Sequence, residues 1–330
     1  QHRRKFRAVI CIGAVLAMVR TLPQMNPNSQ PPVLTPRTLG VIAVLMFAMT
    51  IPMTRLANGH GDAPQLPPLF VALGRGLLAA LPAAIYLWWV RAPWPDRETR
   101  RWLVGVVGGG VLAFPLCMGW AVRGVPAWHA SVVTGMLPLI TATLAAWWLG
   151  HRPRLGFWLA GLVGVSLVLG FVWFTAEASA SPGVSSPDAV LLLGLVGASV
   201  AYVAGARATR RMPSAQVMSW ALVLALPVTL PGAAWAWLAE GSVGRPELHP
   251  STWWAFGYVA LFSSWLGFFA WYAALARDPM RVSQLQLLQP FAAMALSAWL
   301  LGENVSPWAP VFAIGVAVSV WVGQRMIQPR

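Results

Sequence analysis

The feature that most constrains this chain is a series of ten apolar blocks, each about as long as a bilayer is thick. They fall at 38–57, 67–90, 102–121, 128–149, 155–174, 187–209, 215–238, 252–275, 282–301 and 307–327. A helix of about 20 apolar residues crosses the roughly 30 Å hydrocarbon layer. Backbone that leaves its own polar groups unpaired is not tolerated there, so every block is expected to be helical. The joints carry turn residues, among them Asn58-Gly59, Pro93-Trp94-Pro95, Pro126, Arg152-Pro153, Pro182-Gly183 and Met212-Pro213. No joint is long enough to fold as a domain.

Composition excludes the alternatives to a membrane protein. Apolar residues make up 58% and charged residues 10%, against about 25% charged in soluble domains. That rules out an ordinary cytosolic enzyme, a disordered chain and a disulfide scaffold. The 20 tryptophans suit membrane–water interfaces. The net charge of +14 would suggest nucleic acid in a soluble chain. Here basic loops explain it, so the expected partners are the lipid bilayer and a small-molecule solute, with no nucleic acid. Cys11 and Cys117 make neither a disulfide framework nor a metal cluster, and no cofactor or metal is expected.

Residues 1–37 read as an N-terminal tail, either disordered or upstream of a true start near Met25. Orientation follows from the basic residues. With the start of the first span in the cytoplasm, Arg37, Arg91, Arg97, Arg100, Arg101, Arg152, Arg154, Arg207, Arg210, Arg211, Arg277, Arg281, Arg325 and Arg330 share that side. Only Arg55, Arg123 and Arg245 oppose them. This bias places both termini in the cytoplasm of a multi-pass protein of the inner (plasma) membrane.

The chain also repeats itself. Ala121–Gly150 aligns without a gap on Ala273–Gly302, at an offset of 152 residues; Ser131 meets Ser283, Pro138 meets Pro290, and Leu149-Gly150 meets Leu301-Gly302. The same offset pairs Gly105 with Gly257 and Arg55 with Arg207. Five helices per copy is an odd number, so the second copy must be inverted. The expected fold class is an all-α polytopic membrane protein whose ten transmembrane helices form two inverted five-helix repeats, 38–174 and 187–327. Inverted repeats are a signature of secondary transporters, with the site near the midplane between the copies.

The residues at this point resemble a known family. Leu288-Gln289-Pro290 through Leu301-Gly302-Glu303, Gly257-Tyr258-Val259-Ala260-Leu261-Phe262, Pro52-Met53-Thr54-Arg55-Leu56-Ala57, and Pro67-Pro68-Leu69 followed by Arg75 are similar to the EamA family of the drug/metabolite transporter (DMT) superfamily. The resemblance spans about 38–327 and implies a ten-helix metabolite exporter. The first copy departs from the family pattern at His151, where Glu is usual.

Candidate site residues follow from polarity inside the spans. All nine acids sit in loops or at helix ends, which argues against carboxylate-based proton coupling and against a cation site, and favours facilitated export. Arg75 lies inside the second span and is the candidate contact for a substrate carboxylate or phosphate, since guanidinium pairs bidentately with both; a structural bond to helix carbonyls is the alternative. Arg55 and Arg207 read as snorkelling residues. Ser131 and Thr134 in the fourth span, and Ser283, Gln286 and Gln289 in the ninth, form polar stripes at helical spacing; Thr134, Gln286 and Gln289 are candidate cavity-lining residues. Trp271 and Tyr272 are candidates for stacking on a solute, and His129 for coupling, because imidazole titrates near neutral pH. Pro138 and Pro290 are candidate hinges. The expected function is export of small polar or amphipathic metabolites, amino-acid-like or otherwise anionic, by alternating access, the protein acting alone or as a homodimer. A membrane-embedded lipid-modifying enzyme and a scaffold or sensor are the competing classes. No span holds the His/Asp/Glu cluster that an enzyme of that kind needs.

Overall fold

The computed structural model describes residues 34–60, 63–149, 155–177, 186–240, 248–277, 282 and 285–326. The segment before residue 34, residues 151–154 and 178–185, and Arg281, Ser283 and Gln284 lie outside the described residues. Apart from turns, the described residues are helical, with one two-residue ladder among them, β1 (Gly59–His60) against β2 (Ala63–Pro64). The ladder is a local turn in a helical fold, and Gly59 permits it: its φ of 71° is in the left-handed region, where a Cβ would also strike Ala63 O.

Seven helical units among the described residues are long and apolar enough to cross a membrane: Pro36–Asn58, Pro68–Trp89, Arg97–Gly124, Ala127–Trp148, Ser186–Ala208, Ser214–Ala239 and Pro250–Arg277. Three shorter apolar helices, Leu155–Phe171, Gln286–Leu301 and Trp308–Gly323, occupy the fifth, ninth and tenth sequence blocks. Large apolar side chains such as Leu81, Ile85, Leu162, Leu230 and Ile314 face outward. That surface suits lipid and would be an aggregation hazard in water.

Several units are broken in mid-course, and the breaks position the site. The first is α1 (Pro36–Ala48) followed by α2 (Thr50–Asn58), meeting at Met49. α3 (Pro68–Trp89) carries Arg75. The third runs through α4 (Arg97–Gly105), a π-helical stretch Val106–Ala113, and α5 (Phe114–Gly124). The fourth is α6 (Ala127–Thr134) then α7 (Leu137–Leu149). After α8 (Leu155–Glu177), α9 (Ser186–Ala208) and α10 (Ser214–Glu240), the eighth repeats the third: α11 (Pro250–Tyr258), a π-helical stretch Val259–Leu266, and α12 (Gly267–Arg277). The ninth has a 3-10 turn, Gln286–Leu288, before α13 (Gln289–Leu301), and α14 (Trp308–Arg325) follows.

The breaks of the third and fourth units recur at the 152-residue offset in the eighth and ninth, whereas the break at Met49 has no counterpart in α9. Pro138 and Pro290 each lie in the first turn of a second half-helix, α7 and α13, where a missing N–H costs nothing. The π-helical stretches coincide to within one residue. Such stretches mark functional segments more often than ordinary helix does.

The copies interlock tightly at one seam. A Cβ on Gly109 would lie 2.1 Å from Gly197 O, and one on Gly105 2.9 Å from Ala204 Cβ. The G-x-x-x-G pair therefore brings the third unit against α9 backbone to backbone.

Candidate functional site

Where the broken units meet there is a largely enclosed cavity of about 30 Å³. It is narrow: little more than ordered water would fit at its centre. The first copy lines it with Phe47, Thr50, Arg75, Gly110, Thr134 and Leu137, and the second with Ala201, Tyr202, Ser263, Ser264, Phe268 and Gln289. Several of these are repeat mates: Thr50 with Tyr202, and Leu137 with Gln289. Thr134 has Gln286 as its mate. The cavity thus sits on the relation between the two copies, and Arg75 breaks that relation, because its mate is Pro227.

Arg75 is 4% exposed. Its Nε donates to Ser264 Oγ at 2.6 Å and its Nη2 to Ser263 Oγ at 3.0 Å. The π-helical turn prepares this cradle. Ser264 gives its own proton to Val259 O, five residues back, at 2.7 Å. Its oxygen is therefore left as an acceptor facing the guanidinium. Ser263 Oγ also lies 2.7 Å from Thr50 Oγ1, at the break between α1 and α2. The charge is held by hydroxyls, and no carboxylate occurs among the described lining residues. A guanidinium has five N–H groups, and the hydroxyls take two of them.

The polar stripes of the fourth and ninth units turn inward. Thr134, Gln286 and Gln289 are all buried. Gln286 Nε2 and Gln289 Oε1 have no hydrogen-bond partner among the described residues, and a buried polar atom left unpaired is costly. Thr134 Oγ1 returns its proton to Ser131 O at 2.7 Å. Trp271 and Tyr272 do not line the cavity. Trp271 stands one layer behind, its ring 6.1 Å from Phe47 and 5.8 Å from Tyr202. Tyr272 donates to Ala201 O at 3.1 Å, over Gly205, where a Cβ would collide with it.

His129 lies away from the cavity, in the first half of the fourth unit. Its Nε2 is 2.8 Å from Asp188 Oδ1, and both residues are buried. Asp188 is at a helix end, as its sequence position indicates, yet it is enclosed; a buried imidazole–carboxylate pair therefore exists where the sequence promised no buried acid. Phe171 packs on the imidazole at 4.9 Å.

Arg55 does not snorkel alone. Its Nε is 2.9 Å from Glu303 Oε1, and its Nη1 donates to Val122 O and Val125 O. Glu303 also accepts from the amides of Ala127 at 3.0 Å and Trp128 at 3.1 Å, at the start of α6. A carboxylate on a helix N-terminus is favourable. The Arg55–Glu303 pair thus joins the first, third, fourth and ninth units at one end of the bundle.

Comparison with known proteins shows the family and the fold. The EamA-like transporter family matches residues 37–174 and again 185–322. An uncharacterized transporter, YdeK, of Bacillus subtilis is 38% identical over 86% of this chain and 94% of that protein. A probable terminal-alkyne amino-acid exporter of Streptantibioticus cattleyicolor is 27% identical over 88% and 94%. A probable amino-acid metabolite efflux pump of Salmonella typhimurium is 25% identical over 86% and 93%. One solved crystal structure superposes with a TM-score of 0.54 at 20% identity, covering 88% of this chain and 97% of the other. That likeness shows the fold alone.

Proposed function

Because this chain belongs to the EamA-like transporter family, and so is a multi-pass membrane transporter, we propose that it exports small amphipathic metabolites bearing an anionic group. In this reading all ten apolar blocks span the inner membrane as two inverted repeats, with both termini in the cytoplasm. The cavity between the copies holds the solute and opens to each side in turn, Pro138 and Pro290 serving as hinges. The observation that carries the reading is Arg75: a buried guanidinium in the central cavity, cradled by hydroxyls and left to find its counter-charge in the solute. Two relatives are named as a probable terminal-alkyne amino-acid exporter and a probable amino-acid metabolite efflux pump, which supports export of small carboxylate-bearing metabolites as a class.

Solute flux into proteoliposomes tests it at matched protein abundance. Arg75→Lys should keep the charge but lose the planar two-point fit. Arg75→Gln should lose both and weaken solute binding by about 1.5–3 kcal/mol, the scale of a hydrogen bond to a charged group. Normal flux through Arg75→Gln would remove Arg75 from the site and leave Gln286 and Gln289 as its core.

The primary reading is export down the solute gradient, with little acceleration from an imposed pH gradient. A second reading, proton-coupled export, is favoured by the buried His129–Asp188 pair. Charged groups near it among the described residues include Glu303, on the amides of Ala127 and Trp128, and its partner Arg55. Acceleration by a pH gradient that Asp188→Asn and His129→Gln both abolish would establish the second reading over the first.

A further inference from the structure

We infer that the preferred solute is a monoanion with a neutral hydrogen-bonding group beside its carboxylate, an α-hydroxy acid or an N-acylated amino acid with an aromatic or other apolar body, and not a zwitterionic amino acid. This deepens the proposed export function and rests on it. The inference comes from the charge inventory of the cavity. Arg75 is the sole charged side chain among the described lining residues. One carboxylate on the solute neutralises it, so the loaded cavity carries no net charge. A zwitterion brings that carboxylate and also an ammonium, which would be stripped of water with no counter-ion on the wall. Burying an unpaired charge is far costlier than burying a hydroxyl or an amide N–H.

The walls indicate the rest of the solute. Gln289 Oε1 is an acceptor without a partner among the described residues, and a neutral hydroxyl or amide N–H would satisfy it. Phe47, Phe114, Tyr202 and Phe268 line the cavity beside the polar end. They present flat apolar surface to a ring or branched chain. The present closed shape must part to admit such a solute.

The test uses the full chain in proteoliposomes and four solutes with one body: 3-phenyllactate, N-acetylphenylalanine, phenylalanine and phenethylamine. The expected order is flux of the two monoanions at least about tenfold above phenylalanine at equal low concentration, the scale of one charged contact, with phenethylamine at the level of empty vesicles. Gln289→Glu supplies the missing counter-ion and should move the phenyllactate-to-phenylalanine ratio toward phenylalanine by about tenfold. Since that is a gain, a variant that merely misfolded could not produce it. Phenylalanine carried as well as or better than phenyllactate by the wild type would overturn the inference while leaving the export function standing. Flux of none of the four above empty vesicles would overturn both.

Discussion

The two copies are built to one plan but finished differently at their ends, and the difference shows which contacts the fold tolerates losing. Arg55 and Arg207 are repeat mates. Arg55 meets Glu303, two carbonyls and a helix N-terminus through its partner. Arg207 lies over the Trp102 ring, 5.8 Å from its centre, and its buried Nε has no partner among the described residues. The reason is legible in the chain: Glu303 has His151 as its mate. One end is clasped by a carboxylate, and the other is served by Arg211 on Asp96 and Glu98 between the third unit and the loop after α9. The glycines repeat the lesson. A Cβ on Gly105 would lie 2.9 Å from Ala204 Cβ, whereas its mate Gly257 has nothing within 4 Å of an added Cβ.

The largest expected effect is at that seam. Gly109→Val should cost about 3 kcal/mol or more, or abolish accumulation in the membrane, because backbone cannot yield to a side chain. Gly257→Ala should shift the melting temperature hardly at all, within about 0.5 kcal/mol. Equal effects at the two sites would break the comparison. Next comes the clasp. Glu303→Gln in detergent-solubilised protein should destabilise by about 1–3 kcal/mol, since Arg55 and the Ala127 and Trp128 amides lose a charged acceptor. The converse substitution, His151→Glu, should stabilise by about 0.5–1 kcal/mol if the carboxylate reaches Arg207 in a partly exposed setting. The smallest effect is at Asp96, which accepts from the Thr99 amide and caps α4. Its hydrogen bonds to Thr99, and then Arg211, hold the carboxyl below its ordinary range. The stability it adds is therefore complete above the unfolded carboxyl's titration and is lost as pH falls through the lowered one. Asp96→Asn should lower the melting temperature slightly at neutral pH, with the gap closing in acid.

How far the sequence carried the account can be judged from these residues. Block length and the 152-residue offset foretold the helical units and the pairing of Pro138 with Pro290, because burial in lipid and duplication both leave linear marks. Arg75 and the glutamines stood out because a charge or an amide inside an apolar block is rare. Ser263 and Ser264 did not, since serine is common in such helices and their partner lies 188 and 189 positions away. The π-helical stretches left no signal: Val-Val-Gly-Gly-Gly-Val-Leu-Ala and Val-Ala-Leu-Phe-Ser-Ser-Trp-Leu share a hydrogen-bond register without sharing composition. Asp188 and Glu303 read as ordinary helix-end acids, and only the packing of distant units buries one against His129 and bonds the other to Arg55. Trp271 and Tyr272 were singled out by depth in the eighth span, yet neither lines this cavity: depth along a helix is legible, but the face that meets a cavity is set by neighbours.

The central claim is that the cavity between the copies is the transport path. Leu137 lines it without any polar role, so Leu137→Cys in a Cys11→Ser/Cys117→Ser background offers a probe at the centre. The measurement is its reaction with a membrane-impermeant maleimide applied to one side of the membrane at a time. The account predicts reaction from either side, slowed from both by a transported solute. A residue that reacts from neither side while solute flux continues would contradict it.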